Sequence, residues 1–216
     1  HVLRAKPGLA VLLFNGEGGE FAAHVVRVGR AEVELAIDQR FDIDREAAIR
    51  ITLGVALPKA ERQRWLVEKA VELGVARLIP LLARRSVARP TAEALERMRR
   101  SVIEASKQCG RNRLMEIELG QSPADFFQGG EQSEPRWLAH PGGIPLRTAF
   151  SQAGQGTPNG IRLAVGPEGG FSDDEVAQAT ACGWQMVDLG ERIQRIETAA
   201  CTLAAVAALL VPPKAD

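Results

Sequence analysis

LAVGPEGGFSDDE, Leu163 to Glu175, decides how this chain is read. An apolar strand stops at Gly166-Pro167, and two further glycines follow at Gly169 and Gly170. A helix then opens with Ser172 and Glu175 spaced as a capping box, in which each side chain satisfies a backbone amide beside the other. A glycine-rich loop at the C-terminal end of a strand is where an α/β sheet holds ligands. Glycines there let a ligand approach the backbone, whereas Asp173, Asp174 and Glu175 crowd negative charge at the helix start and disfavour a phosphate group. The loop has neither the GKS or GKT ending of a phosphate loop nor the GxGxxG spacing of a dinucleotide fold. Taken alone, it also fits a glycine-rich turn without a ligand.

Downstream, LGERIQRIETA, Leu189 to Ala199, repeats the arrangement. It follows another strand pattern and places Arg192, Arg195, Glu197 and Thr198 before an Ala- and Leu-rich helix over 198–210. Charge concentrated between two apolar elements reads as a site or as a solvated loop with local ion pairs. Working upstream, strands are predicted over 51–56, 77–82, 115–119, 136–139, 161–165 and 185–189, with helices over 62–73 and 91–108. The helix at 62–73 lines up Leu66, Ala70 and Leu73 and stops at Gly74. This alternation predicts an α/β domain with a parallel sheet. Before it, LAVLLF, AAHVVRV and VELAI are separated by turn signals at Asn15-Gly16, Gly18-Gly19 and Gly29, which predicts a small antiparallel β domain. The boundary falls between Arg45 and Arg50, giving domains over 1–48 and 49–216.

The 216 residues carry 27 Lys and Arg against 27 Asp and Glu, so attraction to nucleic acid requires a local patch. One lies between Arg84 and Arg113, where nine basic residues meet three acids. Arg84, Arg85, Arg111 and Arg113 are the candidates for contact with an RNA backbone; a solvated helix face with pairs such as Glu93–Arg97 competes for the middle of the run. Cys109, Cys182 and Cys201 are widely spaced, which fits reduced thiols and a cytoplasmic location. The longest apolar run, Leu203 to Val211, is well short of the roughly 20 residues that span a bilayer. No membrane association is expected. His24 and His140 belong to no HExxH or Cys/His grouping, so no metal is expected. Because the sequence opens at His1 rather than Met, an N-terminal stretch is expected to be missing.

Five segments, EKAVELGV (68–75), QCGRNR (108–113), His140-Pro141, GPEGG (166–170) and LGERIQRIETA (189–199), together resemble the bacterial 16S ribosomal RNA (uracil-N3) methyltransferases of the SPOUT superfamily. The resemblance covers nearly the whole chain. It implies a small N-terminal PUA-like β-barrel that binds RNA, a C-terminal domain with a trefoil knot, and a homodimer acting on small-subunit ribosomal RNA or the assembled subunit. It also implies S-adenosyl-L-methionine as cofactor, held by Leu138, His140, Pro141, Gly166, Pro167, Glu168, Gly169, Gly170, Leu189, Gly190, Arg192, Ile193 and Thr198. Arg111 and Arg195 are the candidates for stabilising charge on the uracil, and Glu197 for positioning an arginine or accepting the proton. Two positions depart from the family pattern: Gln194, where an apolar residue is usual, and Lys107, where an acid is common. A ribose 2'-O methyltransferase of the same superfamily and a non-enzymatic RNA-binding module are the alternatives.

Overall fold

The computed structural model describes residues 5–154 and 158–212. The chain divides into two compact units: His1–Glu46 with Ser106–Leu114, and Ala47–Ala105 with Met115–Asp216. The first unit takes, besides the N-terminal residues, a segment from far downstream.

In the first unit, β1 (Ala10–Leu13), β2 (Glu20–Val28) and β3 (Val33–Phe41) form an antiparallel sheet in that order. The three predicted apolar runs supply them. Register shifts at Ala22/Ala23 and Val25/Arg27 bend β2, and Ala23 and Val25 point into the small core. The expected closed barrel is not formed by the described residues: three strands leave β1 and β3 as edges, and closure demands more strands with matched tilt and stagger. Ser106–Leu114 supplies much of the unit's polar interior. The Arg111 guanidinium donates from Nε and Nη2 to the two Glu46 carboxylate oxygens at 2.7 and 2.6 Å, and Asn112 Nδ2 donates to the Ile43 carbonyl at 2.7 Å.

The second unit is built on six parallel strands in the order β6-β5-β4-β8-β7-β9. Along the chain they and their helices are β4 (Arg50–Val55), α1 (Ala60–Glu72), β5 (Val75–Pro80), α2 (Ala92–Cys109), β6 (Glu116–Ile117), α3 (Pro123–Gln128), β7 (Arg136–Pro145), α4 (Leu146–Ala153), β8 (Gly160–Val165), α5 (Asp173–Ala181), β9 (Gln185–Asp188) and α6 (Ile196–Ala208). The last residues of α2 belong to the first unit. Central strands β4 (RITLGV) and β8 (GIRLAV) are buried nearly throughout, because helices cover both faces of such a sheet. Beside them Phe127 meets Phe126, Phe171 and Trp184 edge to face, and the Trp184 indole donates to the Phe127 carbonyl at 3.1 Å. Strand order reverses at β4 and β8. Among the described residues no helix is long and apolar enough to cross a membrane.

Candidate active site

In an α/β sheet, ligands are held by the loops at the carboxyl ends of the strands. Here β8, β7 and β9 lie side by side, and the loops that follow or interrupt them carry three of the five segments singled out in the sequence.

After β8, Gly170 N donates to Pro167 O at 2.8 Å and Gly170 adopts φ +68°, a left-handed turn that favours glycine. Phe171 is buried and anchors the exit. The predicted capping box is present: Ser172 N donates to Glu175 Oε2 at 2.7 Å, and Glu175 N donates to Ser172 Oγ. Glu175 Oε1 also accepts from Arg84 N at 2.8 Å. Arg85 donates through Nη1 to the carbonyls of Gly169 and Phe171, at 2.7 and 3.3 Å. Thus the stretch assigned to RNA contact also braces the glycine loop. Arg84 and Asp174 approach only to 3.7 Å on the surface, a pair of little energetic weight.

The His140–Gly143 stretch interrupts β7, whose register to β9 jumps between Ala139 and Ile144. Gly143 is required there, since a Cβ would stand 2.5 Å from the Met186 backbone. Asp188, at the end of β9, then joins two loops: it accepts from Gly190 N at 2.9 Å and from Gly142 N at 3.4 Å. A carboxylate at the end of an apolar strand was the available clue to this residue. Gln194 is accounted for as well, because its amide donates to Leu189 O at 3.3 Å while its oxygen accepts from Thr202 Oγ1 at 3.1 Å.

Glu197 lies in the first turn of α6 and is buried, with both carboxylate oxygens facing Arg62 Nη1 at 3.1 and 3.5 Å. Arg62 Nη2 is 3.8 Å from Glu168. Nothing in the local sequence separates Arg62 from Arg64, which pairs with Glu68 on the exposed side of the same helix. Arg192, Arg195, Ile193 and Thr198 are exposed, and among the described residues the guanidinium groups of Arg192 and Arg195 have no partner. Leu138 is fully buried in the sheet, between Ala164 and Met186 of the neighbouring strands. Arg111 differs most from expectation: it lies in the first unit, 5% exposed and bound to Glu46, whereas Arg113 is exposed. Burial pushes the Cys201 thiol up to about 11, so it stays protonated and unreactive near neutrality. Among the described residues no three His, Cys, Asp or Glu are grouped as metal ligands.

At Gly142, Gly170 and Gly190, all with positive φ, a Cβ would meet nothing within 4 Å, so three loops from adjacent strands present bare backbone to open space. This fits a ligand held largely through main-chain contacts.

The chain belongs to the family described as RNA methyltransferase domain, whose profile matches residues 45–208. Among its relatives, ribosomal RNA small subunit methyltransferase E of Synechocystis sp. is 33% identical over 212 residues, covering 97% of this chain and 69% of that protein. The enzyme of that name from Bacillus subtilis is 28% identical, covering 92% and 81%. A Legionella pneumophila methyltransferase solved in complex with the cofactor SAM aligns with a TM-score of 0.87 at 32% identity, over 95% of this chain and 84% of that one. The Neisseria gonorrhoeae methyltransferase E bound to S-adenosyl methionine also gives 0.87, at 28% identity over 97% and 86%.

Proposed function

We propose that this protein methylates N3 of a uridine in 16S ribosomal RNA, using S-adenosyl-L-methionine held by the loops after β8 and β9 and within β7. The observation that carries the reading is the set of three bare glycines, Gly142 within β7, Gly170 after β8 and Gly190 after β9, on adjacent strands. Gly166–Gly170, His140-Pro141 and Leu189–Thr198 would hold the cofactor, mostly through backbone, with the Glu168 carboxylate favouring its positive charge. When bound, the cofactor supplies a methyl group on a cationic sulfonium.

The chain's own residues handle the acceptor. Alkylation at N3 requires loss of the imide proton to solvent; the charge left on the ring is shared by the flanking carbonyls until the N3–methyl bond forms as the sulfur–methyl bond breaks. Arg195, exposed and without a partner among the described residues, is suited to stabilise it through a planar fork. Glu197 acts as the residue that positions an arginine, a role its contact with Arg62 supports. Arg84, Arg85 and Arg113 offer exposed cations to the phosphate backbone. Arg111 enters as a buried residue that shapes the RNA-binding unit. The reading includes a PUA-like first unit, a trefoil knot among the C-terminal segments, a homodimer and a cytoplasmic enzyme, all supported by the motif resemblance.

Nucleoside mass spectrometry on ribosomal RNA treated with the protein and isotopically labelled cofactor tests this. The expected product is 3-methyluridine, which also halts reverse transcriptase because the pairing donor is lost. A labelled ribose methyl with read-through would overturn the N3 assignment.

A further inference from the structure

Glu197 is a carboxylate with 8% of its side chain exposed, and a buried charge of this kind is costly unless paired. Its partner is Arg62 on α1, 135 positions away in sequence. The same guanidinium, one third exposed, reaches toward Glu168 in the glycine loop. One arginine therefore stands between two acids from different segments: the loop leaving β8 and the opening turn of α6. Without it, two carboxylates would face each other with no intervening cation, and one of them would be buried.

We infer that Arg62 is a positioning residue for the methyl-donor pocket, fixing the glycine loop against the start of α6. The inference rests on the cofactor reading above. Its effect is electrostatic as well as geometric. The three groups sum to a single negative charge, which suits a cationic ligand, whereas loss of Arg62 leaves two like charges that push the loop and the helix turn apart. Lysine keeps the charge but has no fork with which to address two carboxylates at once.

Calorimetric titration with S-adenosylmethionine tests it on the full chain. Arg62→Ala should weaken cofactor binding about tenfold or more, and Arg62→Lys by less. Adding Glu197→Gln to Arg62→Ala removes the orphaned buried charge and should recover part of the affinity, a non-additive result that general damage to the fold does not produce. Affinity for a ribosomal RNA fragment should stay unchanged in all three variants, and Arg64→Ala on the same helix should bind cofactor as the parent does. Parental affinity in both Arg62 variants, or strictly additive losses in the double variant, would overturn the inference. If the parent protein itself binds no cofactor, the pocket assignment fails instead, and the two failures are distinct.

Discussion

Gly169 and Gly170 are adjacent, yet a side chain at each meets a different obstacle. At Gly170 there is open space but a left-handed backbone, φ +68°, which a β-branched residue resists. At Gly169 the backbone is ordinary, and a Cβ would press at 3.3 Å on the Arg85 stem, which can give way. Gly170→Val should therefore weaken cofactor binding strongly and Gly169→Val mildly, with circular dichroism unchanged in both; calorimetry showing equal, parental affinities would mean that the turn shape is irrelevant to the ligand. Arg195 belongs to the chemical step. Arg195→Ala is expected to lower the single-turnover rate on the order of a hundredfold, as removal of one stabilising donor does, with cofactor affinity retained. A loss confined to affinity would move Arg195 into the cofactor site. At this scale the sequence was informative where a residue acts on its neighbours, as with the Ser172–Glu175 box. It was silent on Arg62 and on the burial of Arg111, because their partners, Glu197 and Glu46, lie 135 and 65 positions away.

Strands and helices were legible for the same reason: their signals are periodic and local. The six predicted strands of the second unit all occur, as do the helices at 62–73, 91–108 and 198–210, each within a few residues of the expected ends except β7, which runs on to Pro145. Two short helices, α3 and α4, gave too few turns for a periodic pattern, and the extension of β7 through His140-Pro141-Gly142-Gly143 was hidden by turn-forming residues. The α3 helix nonetheless dictates one strand residue. A Cβ on Gly54 of β4 would stand 2.5 Å from the Phe126 ring, so Gly54→Ala should destabilise the protein by about 1–3 kcal/mol in urea unfolding, and Phe126→Leu on that background should recover part of the loss. In the other unit, β2 begins at Glu20, whose carboxyl is held below the usual range chiefly by the hydrogen bond from Arg45. Its folded pKa is lower than its unfolded one, so the stabilisation is present above the unfolded value and is lost as pH falls through the folded one. Glu20→Gln should flatten the acid side of the stability profile, measured by unfolding at stepped pH; an unchanged slope would show that the pair contributes nothing.

For the whole molecule, the first unit is discontinuous in sequence: Ser106–Leu114 completes a structure begun by the N-terminal residues. No local pattern announces such a return, and the segment was read with the second domain for that reason. A fragment comprising Ala47–Asp216 would carry Arg111 and Asn112 without Glu46, Glu20 and Ile43, their partners in the unit. Amide exchange at 106–114 should be much faster in that fragment than in the full chain; equal protection would mean that the segment is ordered without the first unit. The same connectivity sets a timetable during synthesis. The earliest strands leave the ribosome long before Asn112, whose amide bonds back to Ile43, has been translated. Strand β4 likewise waits for β8, its parallel neighbour from Arg50↔Gly160 onward, while β5, β6 and β7 are made in between. Nascent chains halted before residue 106 should therefore be open to proteases along their N-terminal residues, and the protein becomes resistant only when most of its length is available to close the sheet.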